Sequence, residues 1–185
     1  HNVARGIVQA GESENSNLII MGFPRRKIPG KPSILSQVMK MSVTDIVVMN
    51  LKTTVGKFNP RKIALYIKSS TDLNLMLNCA TAVAEKRDAR IALLNFLPLK
   101  YSKRQKRRAD KLIVEAIENF YSSALYDVSL IPTDHPKEEI LKYSTKVDLL
   151  IISAERGKKT AKSIEESDSF RISEQADCSV LMVKS

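Results

Sequence analysis

Seven short apolar runs, separated by stretches long enough for helices or loops, constrain the fold of this 185-residue chain more than any other feature. The runs are rich in Ile, Val and Leu and lie at residues 17–22, 45–51, 62–67, 90–96, 126–131, 147–152 and 178–183. Their apolar character is continuous rather than alternating, which is typical of strands covered on both faces. The runs therefore predict a parallel sheet.

Several of the intervening stretches carry apolar residues at helical spacing. One stripe consists of Leu73, Met76, Leu77, Ala80, Val83 and Ala84, and a second of Ala109, Leu112, Ile113, Ala116, Ile117 and Phe120. Thr71 and Asp72 predict an N-cap for the first helix, and Pro136 predicts the first turn of a later short helix. Strands that alternate with helices predict right-handed βαβ crossovers and a doubly wound α/β sheet.

An internal repeat divides the chain. The strands at 17–22 and 45–50 recur at 148–153 and 178–183, at offsets of 131 and 133 residues, and a helix precedes each pair. We therefore predict the trailing half of a first unit at 1–54, a linker at 55–60 and a complete unit at 61–185. The chain opens without Met and is expected to be cut from a longer protein. A partner chain, a swapped element or the neighbouring unit is expected to cover the sheet edge of the half unit.

Composition argues against several classes of function. No run of about 18 apolar residues is present that could span a bilayer. The two His and two Cys are scattered singly, so no metal site is expected, and Cys79 and Cys178 lie in apolar segments typical of buried thiols. His135 follows a predicted strand but has no nucleophile or second His near it in the sequence. We therefore expect no catalytic residues and no enzyme.

The net charge of +10 favours an anionic partner. Two basic clusters are candidates for contact with an anionic surface: Lys103, Arg104, Lys106, Arg107, Arg108 and Lys111 at the start of a predicted helix, and Arg25, Arg26 and Lys27 in a loop. Cations at a helix start oppose the macrodipole by about 0.3–1 kcal/mol each, which suggests an anionic partner such as lipid headgroups. A solvated helix face is the alternative. Few aromatic residues accompany the clusters, so nucleic-acid binding is not expected.

The order and spacing of the strands over 61–185 resemble the universal stress protein family, and residues 1–52 resemble the second half of such a unit. The resemblance implies an α/β fold of the adenine-nucleotide alpha-hydrolase-like type, with one full copy plus a half copy in this chain. It also implies a parallel sheet in the strand order 3-2-1-4-5 within the full copy, and a homodimer, often formed through the last strand.

Family members that bind ATP typically carry an Asp after the first strand and the pattern G-x-x-G-x9-G-[ST] after the fourth. Glycines there let backbone N–H groups approach the phosphates. The matching candidates for nucleotide binding are Ile67, Lys68, Ser69, Ala154, Gly157 and Ser167. Lys68 replaces the Asp, and one of the three glycines is kept. We therefore expect no cofactor, with ATP as the alternative.

Residues 3–24, a helix and then a strand ending in Gly-Phe-Pro, also resemble stress-protein-like cytoplasmic tails of amino-acid permeases and cation-chloride cotransporters. That resemblance implies a non-catalytic regulatory or oligomerisation domain at the inner face of the cell membrane. Its partners would be the membrane domain of the transporter and a second copy of the chain. The alternatives are a free universal stress protein that binds adenine nucleotide, and an enzyme of the related nucleotidyl-transfer class.

Overall fold

A seven-stranded sheet forms the centre of the computed structural model, which describes residues 2–24, 32–118, 126–154 and 164–185. The strands are β1 (Leu18–Gly22), β2 (Asp45–Asn50), β3 (Lys62–Tyr66), β4 (Arg90–Leu97), β5 (Tyr126–Pro132), β6 (Leu149–Ser153) and β7 (Ser179–Lys184). The helices are α1 (Val3–Ser13), α2 (Ile34–Met41), α3 (Leu73–Arg87), α4 (Lys103–Glu118), α5 (Pro136–Ser144) and α6 (Asp168–Gln175), with short 3-10 turns at Val55–Lys57 and Ile164–Glu166.

The strands lie in the order β1-β2-β7-β6-β3-β4-β5. Every neighbouring pair is parallel except β2 and β7, which run antiparallel. The chain thus winds outward from β3 in both directions, and the predicted α/β fold with a mostly parallel sheet is confirmed. The antiparallel pair could not be foreseen, because a continuous apolar run carries no information about the direction of its neighbour.

Serine side chains begin two of the helices. Ser33 Oγ accepts a hydrogen bond from Ser36 N at 3.0 Å at the start of α2, and Ser167 Oγ accepts one from Phe170 N at 3.1 Å at the start of α6. Asp72 occupies the N-cap position of α3, but its carboxylate makes no capping bond. The predicted N-cap position is therefore confirmed, but the carboxylate does not cap the helix because other donors hold it.

Two apolar layers sandwich the sheet. Helices α1, α2, α5 and α6 pack on one face around fully buried residues such as Phe170 and Ile140, and α3 and α4 cover the other face. Both predicted stripes supply the second layer: Leu73, Met76, Leu77, Ala80 and Ala84 from α3, and Ala109, Ile113 and Ala116 from α4, are buried. Phe120 lies outside the described residues.

The sequence repeat appears as a structural repeat, because α1–β1–α2–β2 has the same element order as α5–β6–α6–β7. The observed strands β2 and β7 begin 134 residues apart, one more than the sequence offset, and they pair about a local two-fold axis: Val48 faces its equivalent Met182, and the flanking pairs Ile46–Lys184 and Asn50–Val180 exchange roles. Strand β7 therefore has both edges paired within the chain. The edge through which the resemblance implied dimerisation is occupied by β2.

Strand β1 lies at the outside of the sheet and, among the described strands, pairs with β2 alone. Its side chains Leu18 and Ile20 are 38% and 61% exposed. Their counterparts one repeat later, Leu149 and Ile151 of β6, are both 0% exposed, because they lie in the layer covered by α3. Strand β1 thus has the apolar sequence of a buried strand but, among the described residues, no helix covers it as α3 covers β6.

Candidate functional site

A cavity of about 470 Å³ opens at the carboxyl ends of β3 and β6. Its lining comes from the ends of these two strands and from the first turns of three helices, and consists of Tyr66, Lys68, Ser69, Thr71, Asp72, Pro136, Lys137, Ile152, Ser153, Ala154, Asp168, Ser169 and Ile172. Strand β3 pairs with β4, the next strand in the chain, on one side and with β6 on the other side. Ligands of open α/β sheets bind at such a switch point.

Asp72 is the most constrained polar group in this cavity, because it is 4% exposed and hydrogen-bonded on both oxygens. Ser153 Oγ donates to Asp72 Oδ2. Ser185 N lies 2.8 Å from Asp72 Oδ1, and Ser185 Oγ lies 2.8 Å from the same oxygen and 3.0 Å from Thr71 O. Asp72 therefore ties the end of β6 and residue 185 to the start of α3.

The charges that line the cavity do not suit a triphosphate. Lys68 and Lys137 bring two positive charges and Asp72 and Asp168 two negative charges, so the described lining is formally balanced. Asp168 is the first residue of α6, where a helix terminus would otherwise attract a phosphate. Ser167 Oγ already accepts one of the backbone N–H groups of that terminus. The fold offers a cavity for a small ligand, and its described lining has no net positive charge that would favour a triphosphate.

The six candidate nucleotide-binding residues are distributed unevenly around this cavity. Lys68, Ser69 and Ala154 line it. Ile67 is 0% exposed and lines a neighbouring hollow of about 210 Å³, where its carbonyl accepts a hydrogen bond from Asn95 Nδ2 at 2.7 Å. Ser167 is buried and caps α6, and Gly157 lies outside the described residues.

Sequence reasoning missed Tyr66, Asp72 and Lys137 as lining residues. Tyr66 packs edge-to-face on Phe96, with ring centroids 5.0 Å apart, and so forms a wall between the two hollows. Asp72 was detectable, since a carboxylate at the carboxyl edge of the sheet, beside a central strand, is a typical ligand-site residue. Asp72 was not predicted as a lining residue because it matches no position of the glycine pattern.

The basic residues of α4, Lys103, Arg104, Lys106, Arg107, Arg108 and Lys111, are all exposed. Arg108 is the one that also lines the smaller hollow. Arg25, Arg26 and Lys27 of the second cluster lie outside the described residues.

Both thiols lie away from the cavity. Burial raises the pKa of Cys79 to about 11, with a smaller contribution from the negative charge of Asp45, and burial likewise raises the pKa of Cys178 to about 11. Both side chains are therefore neutral thiols at pH 7, which are poor nucleophiles. His135 is an exposed side chain whose Nδ1 lies 3.8 Å from Glu138 Oε1.

Among the described residues, no three His, Cys, Asp or Glu side chains are grouped so that they could hold a metal ion. Within the same residues, none of the helices has the length and apolar character that crossing a bilayer requires.

No protein-family model and no curated protein matches the chain. Solved structures do match the chain. A universal stress protein from Archaeoglobus fulgidus DSM 4304 aligns with a TM-score of 0.64 at 15% identity, over 97% of this chain and 64% of that protein. The cytoplasmic domain of a prokaryotic cation chloride cotransporter aligns with a TM-score of 0.63 at 13% identity, over 98% of this chain and 69% of that domain.

The chain has a universal stress protein-like fold. A further neighbour, the universal stress protein from Archaeoglobus fulgidus in complex with dAMP, has a TM-score of 0.56 at 16% identity and covers 66% of this chain and 97% of that protein. The resemblance predicted from strand order is thus confirmed for the fold. At these identities the likeness concerns the fold alone, and the chain spans 64% of the length of the first stress protein named.

Proposed function

We propose that this chain is a non-catalytic regulatory and oligomerisation domain of a membrane transporter of the amino-acid or cation-chloride type, acting at the inner face of the cell membrane. The observation that carries the proposal is the cavity. It lies where open α/β sheets bind ligands, yet the charges of its described lining are balanced and its central carboxylate accepts hydrogen bonds from the protein on both oxygens. A cytoplasmic transporter domain with the same fold over 98% of this chain supports the proposal.

The non-catalytic part of the proposal rests on the groups that could react. The thiols of Cys79 and Cys178 are neutral and lie outside the cavity, and His135 is solvated on the surface. The serines that line the cavity have no imidazole among the described lining residues that could take a proton from them. These groups can hold a shape or a ligand, and we assign them no chemical step.

We further propose that residues 1–54 are the trailing half of a first unit and residues 61–185 a complete second unit, joined by a linker at 55–60. The repeated element order and the two-fold pairing of β2 with β7 support this division. The exposure of Leu18 and Ile20 supports it as well, because their buried counterparts show which cover the half unit lacks. A homodimer of this chain would then use a surface other than the edges of β7.

The alternative is a free universal stress protein that binds adenine nucleotide. Two features of the cavity favour this alternative. Its volume of about 470 Å³ lies within the range of small-ligand sites, and the cavity lies at the sheet position where such ligands bind. No cofactor is part of our preferred proposal.

Calorimetry with ATP and Mg²⁺ separates the two functions. The regulatory-domain proposal predicts no binding, or a dissociation constant near 1 mM, whereas binding tighter than about 100 μM would contradict it. As a matched control, Lys68→Asp restores the acidic residue that the resemblance places after the first strand of the full copy. Because the variant makes the described lining net negative, tight ATP binding by it would show that Lys68, and not the charge balance of the cavity, excludes the nucleotide.

The transporter assignment has its own test in the complete gene. We expect the reading frame upstream of residue 1 to encode several apolar segments of about 20 residues each. A complete gene without such segments would overturn the transporter assignment and leave a soluble stress protein. Where the segments are present, removal of residues 61–185 should change the transport rate or its regulation in reconstituted vesicles.

A further inference from the structure

One surface of the chain combines dense positive charge with exposed apolar side chains. It comprises the turn at 98–102 and the outward side of α4, and we refer to it as the α4 surface. Helix α4 packs on the sheet through Ala109, Ile113 and Ala116. Arg104, Arg107 and Lys111, at helical spacings of three and four, lie on the opposite side and are exposed.

Basic side chains outnumber acidic ones on the α4 surface: helix α4 carries six Lys and Arg residues against Asp110, Glu115 and Glu118. Ion pairs in the described part of the chain involve Arg61, His135 and Lys142, and none of them includes a basic residue of α4. The first turn of α4 contains no acidic residue. Cations at a helix N-terminus oppose the macrodipole, so helix stability does not account for this cluster.

Apolar side chains adjoin the cations. Leu99 is 61% exposed and Tyr101 is 41% exposed in the turn before α4, and Val114 is 49% exposed on the outward side of the helix. In a self-contained fold, large apolar side chains next to a charged helix turn are an unfavourable arrangement. Leu99 and Tyr101 precede the first cations of the helix and Val114 follows Lys111 on the outward side, so charge and apolar surface together make the α4 surface a candidate interaction surface.

The turn that carries Leu99 and Tyr101 is held by its own hydrogen bonds. Leu99 N donates to Asp134 Oδ1 at 3.0 Å. Ser102 and Gln105 form a reciprocal capping box: Gln105 N donates to Ser102 Oγ at 3.2 Å, and Ser102 N donates to Gln105 Oε1 at 2.8 Å. The apolar side chains are therefore presented outward by an ordered turn.

We infer that the α4 surface docks on an anionic lipid bilayer. The cations would lie among the headgroups, and Leu99, Tyr101 and Val114 would enter the boundary with the acyl chains, as in interfacial helices. The apolar residues favour lipid over nucleic acid, because two of the three are aliphatic and cannot stack on bases. The inference does not depend on the parent protein being a transporter.

Vesicle co-sedimentation tests this inference with the full 185-residue chain. We expect binding to phosphatidylcholine vesicles that contain about one third phosphatidylserine, little binding to phosphatidylcholine alone, and a steep loss of binding as salt rises toward about 0.5 M. The triple variant Arg104→Gln, Arg107→Gln, Lys111→Gln should bind on the order of 100-fold more weakly, from about tenfold or less for each charge removed.

A second triple variant, Lys40→Gln, Lys86→Gln, Lys146→Gln, is the matched control. It removes the same net charge from exposed positions elsewhere, and we expect its binding to change by less than about threefold. The variant Leu99→Ser, Tyr101→Ser should bind about tenfold more weakly with an unchanged salt dependence, since it removes apolar contacts only.

Three results would overturn the inference. The first is equal loss of binding in both triple variants, which would mean that net charge alone is responsible. The second is equal binding to neutral and anionic vesicles. The third is absence of vesicle binding, with or without tight binding to RNA that the α4 triple variant abolishes. Circular dichroism of each variant excludes loss of folding as the cause, and the α4 triple should unfold at an unchanged or higher temperature because it removes charges that oppose the helix dipole.

Discussion

Matched substitutions at Ile20 and Ile151 measure how much cover the first repeat lacks. The two side chains occupy equivalent positions in β1 and β6, but Ile20 is 61% exposed and Ile151 is 0% exposed. Ile20→Ala and Ile151→Ala remove the same three carbon atoms from the same strand position. Any difference in their effect on the free energy of unfolding therefore reports the environment of the strand.

The magnitudes follow from burial. Removing three buried carbon atoms costs about 2–2.5 kcal/mol in transfer free energy, and the cavity left in a packed layer raises the total to about 3–4 kcal/mol for Ile151→Ala. Ile20 has less than half of its surface covered, and water can fill the space it leaves. We expect Ile20→Ala to cost about 1 kcal/mol or less. The milder pair Ile20→Val and Ile151→Val should differ in the same direction, with about 1 kcal/mol at Ile151.

Urea unfolding followed by circular dichroism measures these differences through the midpoint at constant slope. Similar losses at Ile20 and Ile151 would refute the view that β1 is uncovered. A loss at Ile20 that grows with protein concentration would show that a second copy covers β1 in solution. The valine pair keeps the comparison intact if Ile151→Ala fails to fold.

Two further predictions concern Asp72 and the thiols. Asp72→Asn should lower the free energy of unfolding by about 1–3 kcal/mol, because an amide cannot accept all of the hydrogen bonds that Ser153 and Ser185 donate. A urea midpoint equal to that of the unmodified chain would contradict this prediction. Burial raises the pKa of both Cys79 and Cys178 from 9.0 to about 11, so the native state holds those protons while the unfolded state releases them. Stability should therefore be undiminished below pH 9 and fall as the pH rises from 9 toward 11, and the urea midpoint of the double Cys→Ala variant should fall less over that window.

The sequence predicted the helices and strands well where a single periodicity dominated the pattern of apolar residues. The stripes of α3 and α4 were predicted correctly at the positions that the structure describes, because burial on one helix face leaves a strong signal at a spacing of 3.6 residues. The apolar runs likewise located each of the seven strands in the described residues. They could not distinguish β1 from β6, since both runs are continuously apolar although Ile20 is exposed and Ile151 is buried.

The candidate site was predictable in its location and less so in its chemistry. The fold places it beyond the carboxyl ends of β3 and β6, and Lys68, Ser69 and Ala154 do line the cavity there. Asp72 was interpreted as a helix cap because it precedes an apolar stripe. Its actual donors, Ser153 and Ser185, lie 81 and 113 residues away in the sequence. A contact of that separation depends on the strand order of the sheet, which local patterns do not specify.

The two-fold pairing of β2 and β7 limits how a signal could act on this fold. Asn50 and Lys184 occupy exchanged positions in that pairing. Each donates to a carbonyl at the end of the opposite repeat's second helix: Asn50 Nδ2 to Ser173 O at 2.5 Å, and Lys184 Nζ to Ser42 O at 2.8 Å.

An isologous contact between separate chains would dissociate on dilution, whereas this one lies within a single polypeptide and its effective concentration is fixed. Separating β2 from β7 would require opening the centre of the sheet. Under the regulatory function proposed above, a signal would therefore act on other parts of the fold, such as the cavity beside Asp72, the open face of β1 or the α4 surface.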